Sequence, residues 1–366
     1  MRRFLNPPRG ISFAHRWVPW RKQLTTRASA TARKLARIWR DADVSLDPVK
    51  GERVAVIGFG IQGGPQACNM RESGIDVVVG LRPDSPSRDM ALKVGCRVVP
   101  IPDAVQWAST VFVLIPDMVQ AEVYRKEIEP LLRKDMALMF AHGAAVHWGW
   151  IKPPAWTDVL MIAPKAPGQR LRELYVEGFG TPALVAVHQD YTKRAWERVL
   201  GFAKAIGCSR AGVVETTFKE EVESDWFGEQ VDLCGGADRL VRTSFEVLVE
   251  NGYSPEVAYF EVLHELKLIV DLIQRYGITG MYRRVSETAR YGGLTRGGRV
   301  IGDPSKQAMR QLLAQIRDRT FEGEWVQAYQ REGKQSFERY MRELEGHPIE
   351  QVGRRLRALM WPSQPV

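Results

Sequence analysis

The chain has 366 residues, of which 45% are hydrophobic and 26% are charged, a composition typical of a folded globular protein with one or two domains, which excludes general disorder. The four cysteines, Cys68, Cys96, Cys208 and Cys234, are widely spaced, which favours free thiols in a reducing compartment over a disulfide scaffold or a zinc site. The longest apolar stretches, such as TVFVLIP, are far shorter than a membrane span, so no membrane partner is expected.

The net charge of +9 originates in the first 40 residues, which contain 11 Arg and Lys and no Asp or Glu. The rest of the chain has 41 basic and 43 acidic residues, so a nucleic-acid partner is not expected. We interpret residues 1–40 as a basic arm that is disordered or serves as a targeting segment. The protein is therefore expected in the cytoplasm, with a mitochondrial or plastid location as the alternative if the arm is a transit peptide.

Strand patterns and helical patterns alternate after the arm. The runs RVAVIGFG, GIDVVVGL and TVFVLIP are rich in β-branched residues, and segments with helical spacing separate them. This alternation predicts a Rossmann-like α/β domain with a parallel sheet over residues 51–214. Long amphipathic stretches such as DRLVRTSFEVLVENG then follow, and they predict an all-α domain over residues 215–360.

A glycine motif ends the first of these runs. Gly58, Gly60 and Gly63 form a G-x-G-x-x-G directly after a predicted strand and before a helical segment. Glycines at these positions let the backbone approach a pyrophosphate, which binds the amides at a helix N-terminus. Because many strands end in glycine-rich turns, it is the strand-turn-helix context that predicts a dinucleotide site.

The loop after the second run indicates which dinucleotide binds. An NAD site usually has Asp or Glu about 20 residues after the glycine motif, whereas here Arg82, Ser85 and Ser87 follow the strand. A guanidinium and hydroxyl groups suit a 2′-phosphate, so NADP(H) is the predicted cofactor. Asp84 would repel that phosphate if it pointed inward, and the alternative is that the loop is an ordinary solvated turn.

Two pairs of acids mark the helical half. Asp225 and Glu229 are four residues apart in the aromatic stretch ESDWFGEQ, and Glu261 and Glu265 have the same spacing in YFEVLHELKLIVD. On a helix this spacing places both carboxylates on one face, as a hard divalent cation requires. Either pair alone is more simply a solvated helix face, but two such pairs in one domain favour a site for two Mg²⁺ ions.

Seven segments of the chain resemble ketol-acid reductoisomerase, also called acetohydroxyacid isomeroreductase, of the short class I type. They are VAVIGFGIQG, GLRPDSPS, FAHG, APKAPG, ETTFKEEVESDWFGEQVDLCGG, AYFEVLHELKLIVDLI and SETARYG. The resemblance covers nearly everything beyond the arm. It implies a helical domain that is knotted and intertwined in a homodimer or higher oligomer, an arrangement that general rules of chain topology would not predict.

The resemblance also implies an activity in valine and isoleucine biosynthesis. The family converts 2-acetolactate or 2-aceto-2-hydroxybutyrate by a Mg²⁺-dependent alkyl migration, and NADPH then reduces the product to 2,3-dihydroxyisovalerate or 2,3-dihydroxy-3-methylvalerate. By resemblance, Asp225 bridges the two metals and Glu229 binds one of them. The remaining metal ligands are Glu261 and Glu265, which come from the other subunit in the short-form dimer.

Further site residues follow from the resemblance alone. It implies that His142 in FAHG and Lys165 in APKAPG are catalytic and that Ser286 in SETARYG binds the substrate. The implied cofactor contacts are Gly58, Phe59, Gly60, Ile61, Gln62, Gly63, Arg82, Ser85, Ser87, Asp117, Met118, Val119, Gln120 and Gly168. Without the resemblance, a lone His after LMF is more simply a core residue, and a Lys between prolines is more simply exposed.

The chain departs from the family pattern at several positions. Ile61 replaces a Ser that faces the phosphate, and Pro65 enters the first turn of the helix, where Pro is tolerated. The segments FAHGAAVHW and SETARYG also differ from the usual ones. The resemblance therefore defines the identity of the substrate less well than it defines the metal site. Two alternatives stand at this point: a metal-free NADP-dependent β-hydroxyacid dehydrogenase, and a non-catalytic paralogue that only binds the cofactor.

Overall fold

The computed structural model describes residues 35–361, so positions 1–34 of the predicted arm lie outside the described residues. Every element named below belongs to one compact unit that begins at Ile38. Among the described residues, no helix is both long enough and apolar enough to cross a membrane.

The described residues form one nine-stranded sheet. Its strands are β1 (Ile38–Trp39), β2 (Arg53–Ile57), β3 (Asp76–Gly80), β4 (Arg97–Val99), β5 (Thr110–Val113), β6 (Ala137–Phe140), β7 (Asp158–Pro164), β8 (Ala183–Gln189) and β9 (Val213–Glu215). Their order is β1-β9-β8-β7-β6-β5-β2-β3-β4. The six strands from β4 to β7 pair in parallel. At the other end, β8 pairs antiparallel with β7, and β1 pairs antiparallel with β9, so the sheet already begins at Ile38, inside the segment assigned to the arm.

The helices follow in chain order. They are α1 (Gly63–Glu72), α2 (Arg88–Lys93), α3 (Ile101–Trp107), α4 (Asp117–Val123), α5 (Ala144–His147), α6 (Gly168–Val176), α7 (Ala195–Ile206), α8 (Phe218–Gly228), α9 (Gly235–Glu250), α10 (Pro255–Tyr259), α11 (Glu265–Tyr282), α12 (Glu287–Val300), α13 (Asp303–Arg317), α14 (Thr320–Glu332), α15 (Glu338–Glu345) and α16 (Pro348–Met360). Short π-helical turns occupy Tyr124–Ile128, Glu229–Leu233 and Phe260–His264.

The strand order reverses between β2 and β5. The chain runs from β2 outward to β3 and β4, and then returns to place β5 on the other side of β2. In a doubly wound sheet this reversal leaves a crevice at the carboxyl ends of the two central strands. The glycine motif directly follows β2, so it lies at the crevice.

Both faces of the sheet are covered, which explains the uninterrupted apolar runs in the sequence. Val54 and Val56 of β2 belong to one buried cluster, whereas Ala55 and Ile57 belong to another. Successive side chains of a strand point to opposite faces, so each cluster fills one side of the sheet.

The chain is helical from α8 onward, and this half packs on the sheet domain through aromatic side chains. The ring of Trp226 in α8 lies 5.5 Å from that of Trp148, just after α5, and 5.2 Å from that of Phe321 in α14. An α/β domain followed by a helical one confirms the predicted fold class.

Candidate active site

A cleft of about 640 Å³ opens at the carboxyl ends of β2, β3 and β5. Seven of the predicted cofactor residues line it: Gly58, Phe59, Gly60, Arg82, Ser85, Ser87 and Val119. The volume is that of an ordinary small-molecule or cofactor site, and the position is where doubly wound folds bind nucleotides. A separate cavity of about 520 Å³, lined by Glu52, Ser109 and Arg198 among others, lies where β2 and β5 begin, at the opposite edge of the sheet.

Three glycines of the predicted set, Gly58, Gly63 and Gly168, are required by close backbone contacts. Gly58 has a φ of +99°, and a Cβ there would lie 2.6 Å from the carbonyl oxygen of Leu114. A Cβ on Gly168 would lie only 1.7 Å from the carbonyl oxygen of Ile61. By contrast, a Cβ on Gly60 would meet nothing within 4 Å. Gly60 therefore faces open space in the cleft, as expected where backbone is closely approached by a ligand.

The other residues of the glycine loop form its framework. Gly63 begins α1, and a Cβ there would lie 2.6 Å from the carbonyl oxygen of Gly58. Gln62 Nε2 donates a hydrogen bond of 3.2 Å to the carbonyl oxygen of Ala166. The glycine loop is thus tied to the turn before α6, while Ile61 is exposed.

The loop after β3 presents Arg82, Ser85 and Ser87 to the cleft. Asp84 is not among the lining residues, and its Oδ1 lies 3.9 Å from Arg82 Nε with both side chains exposed. A phosphate held by Arg82 and the two serines would therefore be close to donors and less close to the Asp84 carboxylate. This arrangement favours the phosphate-binding interpretation of the loop over the repulsive one.

Residues 117–120 begin α4 beside the cleft. Gln120 is buried, and its Nε2 donates to the Ile115 carbonyl oxygen and to Asp117 Oδ1, each over 2.9 Å. Asp117 and Met118 line an adjoining cavity of about 540 Å³. Gln120 therefore holds Asp117 in place, and in the described structure it does not line the cofactor cleft.

His142 and Lys165 lie at the carboxyl ends of neighbouring parallel strands, β6 and β7, and both side chains reach α8. His142 Nδ1 is 3.0 Å from Glu221 Oε2 and 3.6 Å from Asp225 Oδ2. Lys165 Nζ is 2.8 Å from Asp225 Oδ1 and 3.3 Å from Glu221 Oε1. The two residues implied as catalytic and one implied metal ligand thus meet in a single cluster.

Glu221 is the centre of this cluster, although the sequence patterns do not distinguish it from the other acids of its segment. Its side chain is only 1% exposed, and it also accepts a hydrogen bond of 3.1 Å from the Gly143 backbone N–H. Glu221 lies one helical turn before Asp225, as Asp225 lies one turn before Glu229. This i, i+4, i+8 series was the signal in the sequence that could have identified it, although its burial depends on the tertiary fold.

The pKa shifts in the cluster follow from these contacts. Burial opposes protonation of His142, but the hydrogen bond and charge of Glu221, together with Asp117 and Asp225, raise its pKa to about 9. Burial alone would raise the pKa of Glu221, yet His142 and Lys165 lower it. In the metal-free chain, the imidazole is therefore a cation paired with a buried carboxylate.

The carboxylates nevertheless outnumber the cations. The interacting groups are the carboxylates of Asp117, Glu221, Asp225 and Glu229 and the cations of His142 and Lys165. Partial burial, followed by the charge of Asp225, raises the pKa of Glu229, and burial raises that of Asp117. A surplus of negative charge that is partly shielded from water favours binding of a cation.

The donor set fits a magnesium ion. His142, Glu221 and Asp225 each place one possible ligand atom so that all three lie within 4.8 Å of one another. Carboxylate oxygens are the ligands that Mg²⁺ prefers. His142 Nε2 is buried and has no hydrogen-bond partner among the described residues. This nitrogen is therefore able to interact with a group that binds in the cluster.

Glu229 begins a π-helical turn that ends α8, because the N–H of Cys234 bonds to the Glu229 carbonyl oxygen, five residues earlier, at 3.1 Å. Glu261 lies in a second π-helical turn, Phe260–His264, and Glu265 begins α11 directly after it. Single π-helical turns inside α-helices occur frequently at functional sites. Both predicted acid pairs thus share an unusual backbone feature.

The described part of one chain does not bring the second acid pair to the first. The group of possible metal ligands found among the described residues contains none of Glu229, Glu261 and Glu265, and the side chains of Glu261 and Glu265 are exposed. Ser286 is also exposed, and its Oγ caps α12 by accepting a 3.2 Å hydrogen bond from the Ala289 N–H. This separation agrees with the implied role of a second subunit in completing the site.

The cofactor cleft and the carboxylate cluster adjoin each other through α4. Val119 of that helix lines the cleft, whereas Asp117, two residues earlier, interacts with His142, Glu221 and Asp225. A nucleotide cleft at the switch point of a doubly wound sheet, next to a cluster of oxygen ligands, defines the class: a nucleotide-dependent oxidoreductase with a candidate metal centre.

Comparisons with known proteins give the same assignment. Residues 48–212 match the domain described as acetohydroxy acid isomeroreductase, NADPH-binding domain, and residues 218–361 match the ketol-acid reductoisomerase C-terminal domain. The chain therefore belongs to the ketol-acid reductoisomerase family and is an oxidoreductase of branched-chain amino-acid biosynthesis with an NADPH-binding domain.

Individual relatives are similar along nearly their whole length. The NADP(+) ketol-acid reductoisomerase of Cenarchaeum symbiosum is 57% identical over 329 residues, which are 90% of this chain and 99% of the relative. That of Methanopyrus kandleri is 53% identical over 326 residues, with 89% and 99% covered. The solved structure of an NADH-preferring ketol-acid reductoisomerase from an uncultured archaeon is 41% identical, with a TM-score of 0.86 over 88% of this chain and 99% of that one.

Proposed function

We propose that this enzyme carries out the full two-step reaction, a Mg²⁺-dependent alkyl migration followed by NADPH reduction, on 2-acetolactate and 2-aceto-2-hydroxybutyrate. The observation that carries the proposal is the cluster of His142, Lys165, Glu221 and Asp225 beside the cofactor cleft. A metal-free hydroxyacid dehydrogenase, the alternative raised by the sequence, would have no use for a partly buried surplus of carboxylates.

Asp225 and Glu229 are the residues of this chain that we propose as metal ligands, with His142 and Glu221 next to them. When bound, Mg²⁺ supplies Lewis acidity to adjacent substrate oxygens, which favours loss of the hydroxyl proton and polarises the carbonyl group. The surplus of carboxylates in the cluster supports this assignment, because a divalent cation would offset both the burial and the repulsion by Asp225 that raise the pKa of Glu229.

Lys165 and Glu221 orient the groups that meet the substrate. The ammonium group of Lys165 bridges Asp225 and Glu221, so it fixes the direction of the Asp225 carboxylate. Glu221 holds His142 by its Nδ1 atom, which leaves Nε2 directed away from Glu221. We propose that His142 supplies the proton that completes reduction, once a substrate oxygen or a water molecule reaches the buried Nε2 atom.

We propose further that Glu261, Glu265 and Ser286 of a second subunit complete this site. Their exposure in the described chain supports the proposal, as does the exposure of several large apolar side chains on the same half of the protein, such as Ile278, Leu294 and Val300. Exposed apolar surface of this kind is typical of a subunit interface.

Co-expression of two inactive variants tests the two-subunit site. Asp225→Asn and Glu265→Gln chains, carrying different affinity tags, would be purified as a heterodimer. If the acid pairs come from different subunits, one of the two sites in each heterodimer has all its acids, so about half of the unmodified activity per dimer should return. If both pairs come from the same subunit, every site is broken and the heterodimer should be inactive.

The reaction itself is tested by following NADPH oxidation with each of the two substrates. We expect turnover with Mg²⁺ and none after removal of divalent cations with EDTA, with recovery on adding Mg²⁺ back. A parallel series with NADH measures cofactor preference, since the curated relatives above are NADP(+) enzymes and the solved relative is NADH-preferring. Turnover that survives EDTA would contradict the proposed metal dependence.

A further inference from the structure

The cofactor cleft has one wall that does not belong to the Rossmann-like domain. Besides residues from β2, β3, α4 and the turn after α4, the cleft is lined by Tyr329 and Lys334 from the C-terminal half. Tyr329 lies in the last turns of α14, and Lys334 follows directly after that helix. The helical domain thus contributes to the nucleotide site as well as to the metal site.

This wall is anchored by specific contacts at the other end of α14. Trp150 Nε1 donates a hydrogen bond of 2.6 Å to Glu322 Oε1, and Arg319 Nη2 donates one of 3.1 Å to the Trp148 carbonyl oxygen. Glu322 is itself buried. Because a buried charged hydrogen bond fixes its helix firmly, α14 is held against the sheet domain before it reaches the cleft.

The backbone then turns sharply to present Lys334. Gly333 ends α14 with φ +59° and ψ −137°, a conformation that only glycine adopts without strain. A short 3₁₀-helix begins at Gly333, so Lys334 is displayed at a bend.

The cations of the cleft are not equivalent. Arg82, Lys126 and Lys334 line it, together with the carboxylates of Glu122 and Glu127. Lys126 Nζ is already 2.6 Å from Glu122 Oε1, whereas Arg82 has only the 3.9 Å contact with Asp84. Among the described residues, the side chain of Lys334 has no ion pair or hydrogen bond. Arg82 and Lys334 are therefore the two cations available to an anionic ligand.

The lining identifies the half of the dinucleotide that this cleft holds. It contains the ends of β2, β3 and β5 and the Arg82 loop, but neither His142 nor Lys165 from the ends of β6 and β7. In a doubly wound fold, the adenosine half lies over the first two strands, whereas the nicotinamide reaches toward the catalytic residues. The anionic group on the adenosine ribose of NADP(H) is its 2′-phosphate.

We propose that Lys334 is a specificity-determining residue that pairs with the 2′-phosphate of NADPH, opposite Arg82, and so favours NADPH over NADH. This inference rests on the NADPH-dependent function proposed above. A lysine is a compact point charge on a flexible stem, so it can approach a phosphate dianion from the C-terminal wall while the Arg82 guanidinium and the serines bind from the other side.

Direct binding to the full-length protein tests this proposal without turnover. The dissociation constants of NADPH and NADH would be measured by fluorescence titration for the unmodified protein and for Lys334→Gln. We expect a loss of about five- to tenfold in affinity for NADPH, which is typical of one charge-assisted contact, and less than a twofold change for NADH. The change for NADPH should shrink as salt is raised, because this contact is partly exposed.

Two control variants separate this contact from a general loss of positive charge or of fold. Lys334→Arg should retain most of the NADPH affinity. Arg331→Gln removes a cation from the last turn of α14 that does not line the cleft. This variant should leave the ratio of the two affinities within twofold of the unmodified protein.

The outcomes are distinct. An equal loss of NADPH and NADH affinity in Lys334→Gln would mean that the lysine meets the pyrophosphate, and it would overturn the proposal, as would no loss at all. Competition by 2′,5′-ADP, which carries the 2′-phosphate, should weaken in the variant while competition by 5′-AMP should not. If the unmodified protein binds NADPH but shows no turnover with either substrate, the proposed reaction fails while the role of Lys334 is still measured.

Discussion

The close contact between Gly168 and Ile61 predicts that the glycine loop does not tolerate a side chain at position 168. Gly168→Ala would place a Cβ 1.7 Å from the carbonyl oxygen of Ile61, next to the 3.2 Å hydrogen bond between Gln62 and Ala166. The obstructing atoms are backbone, so no rotation of a side chain relieves the clash. The glycine loop and the turn before α6 must move apart.

The expected losses of stability and of cofactor affinity follow from the contact distance. Real Cβ contacts shorter than 3.0 Å are essentially never seen, so relief of the 1.7 Å contact requires a displacement of at least about 1.3 Å. Overpacking of this kind costs about 1–3 kcal/mol of folding free energy. Because the displaced segment contains Gly60 and begins α1, its amides would also leave their position for the pyrophosphate, and we expect NADPH and NADH affinity to fall by about tenfold or more.

The assay is a titration of both cofactors together with chemical unfolding of the metal-free protein. Gly323→Ala is the matched control, because it adds the same methyl group in α14 where the new Cβ would meet nothing within 4 Å. The control should bind cofactor normally and be as stable as the unmodified protein or slightly more stable. If Gly168→Ala bound both cofactors within twofold of the unmodified protein, the contact between Gly168 and Ile61 would not determine the shape of the glycine loop.

Three further substitutions test the rest of the site and the fold. Asp225→Asn should weaken Mg²⁺ binding by at least about tenfold in calorimetric titration with little change in NADPH affinity, whereas Asp232→Asn, an exposed acid beyond the cluster, should change neither. Glu221→Gln should lower kcat by about 10²-fold or more with NADPH affinity nearly unchanged, and a kcat within threefold would show that Glu221 has no part in orienting His142. Arg198→Met should lower the free energy of unfolding by about 3–5 kcal/mol, because it removes the cation that lies 3.0 Å from the fully buried Asp158 carboxylate. Urea denaturation measures this loss, and an unchanged midpoint would contradict the prediction.

The sequence predicts the cofactor half of the protein well because parallel strands leave a strong local signal. A strand buried on both faces, such as β2, must be apolar at consecutive positions. The glycines that follow it are required by backbone geometry, as Gly58 shows with its positive φ and the Leu114 oxygen 2.6 Å from its missing Cβ. The apolar run and the glycine motif are both contiguous in the sequence, so they can be recognised without the fold, although the Leu114 contact that requires Gly58 is not local.

The sequence does not reveal the residues whose importance depends on distant contacts. Glu221 is one of several acids in its helix. Its role depends on contacts with His142 and Lys165, which are 79 and 56 residues away. Lys334 is one of several exposed basic residues near the C-terminus, and only the packing of α14 brings it to the cleft. Periodicity describes one element at a time, so it cannot show which element faces which.

The electrostatics of the cluster connect the proposed metal with the proposed second subunit. In one chain, four carboxylates share two cations, and burial, followed by repulsion from neighbouring carboxylates, raises the pKa values of Asp117 and Glu229. Adding Glu261 and Glu265 of the partner subunit would increase that repulsion unless divalent cations enter with them. Mg²⁺ would then bind the assembled site more tightly than the single chain, and by linkage it should stabilise the assembly. If the exposed acid pair on α11 and the adjoining turn is half of this proposed site, removal of Mg²⁺ should therefore weaken the assembly.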